Sequence, residues 1–234
     1  QALPVIGKDV TIVGANDYDA TAGSDIVVIT AGLPRKPGMS RDDLLTANAA
    51  IVRKATEETI RRSPEAIYVV LTNPLDVMAY LTLKLSKLSP ERVIGQAGIL
   101  DSARMRAFVA MELGVSVENI QCYVLGGHGD EMVPLTRHSN VAGTPLREIL
   151  SAERLDAIVN RTRKGGGEIV SLLKTGSAFY APGASVASMV AAILGDTGAV
   201  VPACALVEGQ YGLSGLHIGV PVTLGRQGVR SIPE

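Results

Sequence analysis

Residues 25–31, Asp25-Ile26-Val27-Val28-Ile29-Thr30-Ala31, form a continuous apolar run. A strand with one wet face alternates apolar and polar side chains, whereas a strand covered on both faces has no need to. The run therefore predicts a strand held between two helical layers. Residues 66–72 make a second strand of this kind, ending at Thr72-Asn73-Pro74, and residues 92–95 a short third. Residues 10–14 (Val-Thr-Ile-Val-Gly) read as another short strand. Between these runs the pattern turns helical. One helix starts at Ser40, with Asp43 three residues on as a capping-box variant. Leu44, Leu45, Ala47, Ile51 and Ala55 give it an apolar stripe. It stops at Arg61-Arg62-Ser63-Pro64, where cations suit the helix dipole. A second helix follows Pro74 to about Ser86. Alternating strands and helices predict an α/β fold with a doubly wound parallel sheet. Two Gly and two Pro keep residues 32–39 out of regular structure.

The texture changes near residue 97, which divides the chain into 1–97 and 98–234. A helix is expected from about Ile99 to Leu113. Residues 120–126 and 132–136 read as an antiparallel pair around Gly126-Gly127-His128-Gly129-Asp130. Long helices are expected over 151–174 and 182–194, then a β-meander over 199–224. Gly165-Gly166-Gly167 falls inside the first of these helices and could break, bend or thin it.

With 47% hydrophobic and 19% charged residues the chain is too apolar for disorder. Its formal net charge of -1 supplies no basic field for nucleic acid or an anionic membrane. No run approaches the roughly 18 apolar residues of a membrane span. Cys122 and Cys204 lie far apart in apolar surroundings and read as reduced core thiols, which suits the cytoplasm.

Several polar residues invite a chemical reading. His128, one of three histidines, sits between glycines that leave its ring approachable, and an imidazole exchanges a proton near neutral pH. Asp101 and Arg104, three apart, share a helix face. The guanidinium can grip a carboxylate bidentately, and the carboxylate can orient a histidine. Arg35 and Arg41 flank the Gly/Pro-rich loop, which could close over an anion. Asn73 ends a buried strand, where ligands bind in open parallel sheets. Taken singly, each has a plainer reading: a turn histidine, a surface ion pair, solvated loop charges, a turn-forming Asn before proline.

Their order and spacing carry more. Gly-Leu-Pro-Arg-Lys-Pro-Gly-Met-Ser-Arg (32–41), Thr-Asn-Pro-Leu-Asp (72–76), Asp-Ser-Ala-Arg (101–104) and Gly-Gly-His-Gly-Asp (126–130) together resemble the lactate/malate dehydrogenase family over nearly the whole chain. The likeness is nearest to its lactate-dehydrogenase-like malate branch. The resemblance implies a Rossmann-type sheet plus an α+β substrate-binding half. It implies NAD as cofactor, malate and oxaloacetate as the substrate pair, and a homodimer or homotetramer. His128 would be the proton donor and acceptor, with Asp101 its partner. Arg104 would clamp the C1 carboxylate, and Arg41 would polarise the keto oxygen. Asn73 would touch both substrate and cofactor, in a cis Asn73–Pro74 arrangement. Gly32, Asn48, Leu71 and Thr72 would line the cofactor. At the place of Arg35 the family's lactate enzymes carry Gln and its malate enzymes Arg. The physics agrees, since a second substrate carboxylate left unpaired in a closed site is costly.

Two features depart from the family pattern. The GxGxxG loop that should follow the first strand is absent, and neither glycine cluster present lies between a parallel strand and a helix. The long terminal helix expected after residue 234 is absent too. The chain reads here as a fragment lacking both ends. The rival readings are a lactate dehydrogenase and a catalytically dead dinucleotide-fold protein.

Overall fold

The structure, a computed structural model, describes residues 9–34, 40–174 and 176–234. Strand β1 (Ile26–Ile29) leads through the loop to helix α1 (Arg41–Arg62). Then come β2 (Ile67–Val70), α2 (Leu75–Ser86), β3 (Val93–Gly95) and α3 (Ala97–Leu113). Strands β1, β2 and β3 are parallel. The second half holds β4 (Ile120–Gln121), β5 (Val124–Gly126), β6 (Met132–Pro134), β7 (Asn140–Val141) and β8 (Thr144–Pro145). Helices α4 (Leu146–Ile149), α5 (Ala152–Leu173) and α6 (Tyr180–Leu194) follow. Strands β9 (Val200–Glu208), β10 (Ser214–Gly225) and β11 (Gly228–Ser231) close the chain as a meander.

Among the described residues, eight strands join in one sheet. Its order is β1-β2-β3-β9-β10-β5-β6, with β11 paired to β10. The parallel part meets the antiparallel part where Gly95 of β3 faces Cys204 of β9. Every residue of β2 is buried, as a run without alternation requires. Tyr68 and Val70 point to one face, against Val52 and Ala55 of α1 and Met78, Ala79 and Leu83 of α2. Ile67 and Val69 point to the other, against Met189, Ala192 and Ile193 of α6. Each such aliphatic side chain contributes about 1.5–3 kcal/mol. The one hydroxyl in the strand, on Tyr68, is matched by Thr59 Oγ1 at 2.9 Å. A third cluster packs Met105 and Val109 of α3 against Leu155 and Ile158 of α5.

Helix α1 begins as its sequence predicts. Ser40 Oγ accepts from the Asp43 N–H at 3.0 Å, and the Asp43 carboxylate accepts from the Ser40 N–H at 3.0 Å. The glycines 165–167 do not break α5, which runs unbroken through them.

Three expectations fail. Strand β1 is covered on one face only: Val27 and Ile29 are buried, but Ile26 is partly exposed and Val28 is 39% exposed, because an apolar run permits a second covering layer without supplying one. Residues 10–14 form no strand: Val10, Ile12 and Val13 are exposed, and no described strand lies beside them. Apolar content can suit a strand but cannot supply the ladder partner that makes one. The expected strand over 120–126 is two strands in two sheets, β4 pairing with β7 and β5 with β6. The switch falls at Cys122–Tyr123, and the Val124 N–H donates to Ser102 Oγ of α3 at 2.9 Å.

Candidate active site

The centre is a buried carboxylate. Asp101, in the second turn of α3, keeps its side chain 2% exposed. Its Oδ1 accepts from Arg104 Nη1 at 3.2 Å, and its Oδ2 from His128 Nδ1 at 2.8 Å. An unpaired charge at that depth would be costly, and here one carboxylate is paired on both oxygens. Arg104 shares its helix face by the i,i+3 spacing. His128 arrives from the turn between β5 and β6, shaped by Gly126 (φ +78) and Gly129 (φ +126), conformations that favour glycine.

This pairing fixes the tautomer. A carboxylate can only accept, so Nδ1 carries a hydrogen and Nε2 is the nitrogen free to take or give a proton. No described residue bonds to Nε2. Burial pulls the imidazole pKa down, but the hydrogen bond and charge of Asp101 outweigh it, so the net shift is upward from 6.5.

Arg104 is placed by α5. A Cβ at Gly165 would stand 2.9 Å from Arg104 Cδ, and one at Gly166 would stand 3.5 Å from Nη2. The glycine cluster is thus the wall along which this arginine lies. Nothing in the local sequence ties those glycines to Arg104.

A second group gathers at the carboxyl ends of β1 and β2. Asn48 of α1 is fully buried, and its amide is spent on backbone. Oδ1 accepts from the Leu33 N–H at 2.7 Å. Nδ2 donates to the Leu33 carbonyl at 3.2 Å and to the Asn73 carbonyl at 2.7 Å. Thr72 donates to the Ala31 carbonyl at 2.7 Å. Gly32 has no room for a side chain, since its Cβ would meet Thr72 Cγ2 at 2.6 Å. Leu71 is half-buried, and Asn73 is exposed and joined to Pro74 by a cis bond. So Asn48 and Thr72 tie loop to strand, and what stays accessible here is Leu71, Asn73 and the Gly32–Pro34 backbone.

Asp76 connects the two groups. It lies three residues past Asn73, in the first turn of α2, and its Oδ2 accepts from the backbone N–H of His128 at 3.1 Å. Residue type and spacing assign Asp76 no role, although it closes the stretch 72–76 that carries part of the family resemblance. Arg35 lies outside the described residues, and for Arg41 only its place as the first residue of α1 is described. Among the described residues no cluster of His, Cys, Asp and Glu could hold a metal ion, and no helix is long and apolar enough to cross a membrane. Cys122 and Cys204 are buried and unbridged.

Parallel strands with exposed chain at their carboxyl ends, beside an imidazole and a guanidinium sharing one buried carboxylate, define a dinucleotide-fold enzyme with a place for a small anion next to a proton-exchanging group. Residues 3–95 match the lactate/malate dehydrogenase NAD binding domain and 99–234 match the lactate/malate dehydrogenase alpha/beta C-terminal domain. The chain belongs to the lactate/malate dehydrogenase family. A malate dehydrogenase of Thermomicrobium roseum is 58% identical over 234 residues, covering all of this chain and 75% of that protein. The apo structure of the Picrophilus torridus malate dehydrogenase superposes with a TM-score of 0.95 at 50% identity, over 99% of this chain and 75% of that one. The lactate dehydrogenase of Cryptosporidium parvum, solved with lactic acid and nicotinamide adenine dinucleotide, also reaches 0.95, at 40% identity over 100% of this chain and 75% of that one. Backbone shape therefore does not separate malate from lactate enzymes.

Proposed function

We propose that the chain catalyses the reversible NAD-dependent oxidation of (S)-malate to oxaloacetate, with His128 as the proton acceptor and donor. The pairing of His128 Nδ1 with Asp101 carries this reading, because it leaves Nε2 as the proton-exchanging atom. Bound NAD supplies the acceptor for the hydride leaving C2. Leu71, Asn73 and the Gly32–Pro34 backbone would hold its nicotinamide half. No glycine-rich pyrophosphate loop occurs in these 234 residues.

His128 Nε2 takes the C2 hydroxyl proton as the hydride departs and returns it in the reverse direction. Asp101 keeps the ring oriented and stabilises its charged form. Arg104, already aligned by Asp101 and the α5 glycines, holds the C1 carboxylate. Arg41 polarises the C2 oxygen, and Arg35 pairs with the C4 carboxylate. Residues 1–97 serve the cofactor and 98–234 the substrate. The protein works as a homodimer or homotetramer in the cytoplasm, the latter in keeping with two buried free thiols.

The test follows NADH absorbance with oxaloacetate and then pyruvate. Oxaloacetate should be reduced. Activity with pyruvate alone would make the protein a lactate enzyme, and none with either would make it a binding protein. Arg35→Gln should lower kcat/KM for oxaloacetate at least roughly tenfold, about 1.4 kcal/mol. Equal kinetics in variant and parent would remove Arg35 from substrate choice.

A further inference from the structure

We infer that Asp76 is a positioning residue for the proton carrier, fixing the His128 backbone and placing a second negative charge beside the imidazole. The inference deepens the reading of His128 proposed above and rests on it. Asp76 sits in the first turn of α2, where a carboxylate is favoured by the helix dipole. Its Oδ2 accepts the His128 N–H at 3.1 Å. The turn passes close above it, since a Cβ at Gly127 would stand 3.4 Å from the same oxygen. Its Oδ1 is buried and makes no hydrogen bond of ordinary geometry, and the fully buried Cys204 thiol of β9 lies against the carboxyl group. Burial raises the Asp76 pKa, opposed by Cys204 and by the His128 N–H.

Burying this charge is a cost that the backbone bond does not explain, because an asparagine oxygen could accept the same N–H without it. The surroundings of the imidazole supply the reason. Among the described residues, the charged groups acting on it are Asp101 and Arg104 from α3 and Asp76 from α2. Arg104 disfavours a proton on the ring, while the two carboxylates favour it. Asp101 is shared with Arg104, whereas Asp76 makes no ion pair with that arginine and accepts from the His128 backbone instead.

The decisive experiment titrates the histidine ring protons by NMR in the full chain without ligand. Three histidines keep the spectrum assignable. Asp76→Asn keeps an acceptor for the His128 N–H and removes the charge. The His128 midpoint should fall by about half a pH unit or more. Asp76→Glu, which restores the charge, should recover most of the shift. The midpoint for oxaloacetate reduction, which needs the protonated ring, should move down in parallel. An unchanged or raised His128 midpoint in Asp76→Asn overturns the inference. Should that variant not fold, Asp76→Ser is read in the same way. If the parent reduces no oxaloacetate, the proposed function fails while the ring titration still decides the role of Asp76.

Discussion

Asp101 illustrates how few atoms define this site: two carboxylate oxygens hold one guanidinium and one imidazole. The glycines of α5 act on the same guanidinium by occupying no space. Gly165→Ala should improve the helix by up to about 1 kcal/mol, yet push the Arg104 side chain from its place. The expected outcome is an unchanged or higher Tm together with a KM for oxaloacetate raised about tenfold, some 1.4 kcal/mol of lost binding. An unchanged KM would show that Arg104 tolerates the methyl group and that the glycines have another purpose. His128, Asp101 and Arg104 entered the reading through the family resemblance that their order and spacing carry, since singly each has a plainer explanation; the structure brings the three side chains together. Asp76 was not readable in the same way. Its partner is 52 residues distant and is a backbone N–H, which no residue type advertises.

Among the elements, α1 says most about the site. Its start was predictable because the Ser40–Asp43 box is local, made within four residues. Its middle holds a buried Asn, a residue poorly suited to a helix interior. The structure gives the reason: one amide joins the loop after β1 to the end of β2. Asn48→Ala would leave the Leu33 N–H and carbonyl and the Asn73 carbonyl without this partner. Three intramolecular hydrogen bonds are lost, each worth about 0.5–1.5 kcal/mol net. Urea denaturation should therefore show a loss of about 2 kcal/mol or more, with weaker NADH binding as the loop loosens. A loss near zero would mean that water replaces the amide without penalty. The strand expected at 10–14 failed for the converse reason, since strand formation depends on a distant partner rather than on its own residues.

For the whole molecule, stability should carry the mark of His217. This residue of β10 is 5% exposed, edge-on to Tyr80 at 6.0 Å between ring centroids. Burial lowers its pKa to about 4, with Lys84 adding to the shift and the Val93 backbone opposing it. In the unfolded chain its pKa returns to about 6.5. Between those values the unfolded state takes up a proton that the folded state refuses, so stability falls as pH falls. From pH 7 to pH 5 the loss should be about 2 kcal/mol. His128 contributes the opposite slope, its raised pKa stabilising fully below about 6.5 and less as pH climbs through the folded value. The difference between parent and His217→Leu isolates His217, and denaturation midpoints at the two pH values should lie closer together in the variant. Identical pH dependence would rule His217 out as the source.

At this scale the parallel half of the sheet was legible, since its apolar runs mark the strands; β2 and β3 are buried throughout, whereas β1, equally apolar, is covered on one face only. The continuation of the sheet was not: a single facing pair, Gly95 with Cys204, joins the halves, and no local pattern encodes it. That seam has a mechanical meaning. With β2, which leads to Asn73, and the hairpin bearing His128 stitched into one pleated surface, these two parts of the site are expected to move as one body rather than like the jaws of a clamp. Substrate can then be expected to enter and leave over a base that keeps its shape.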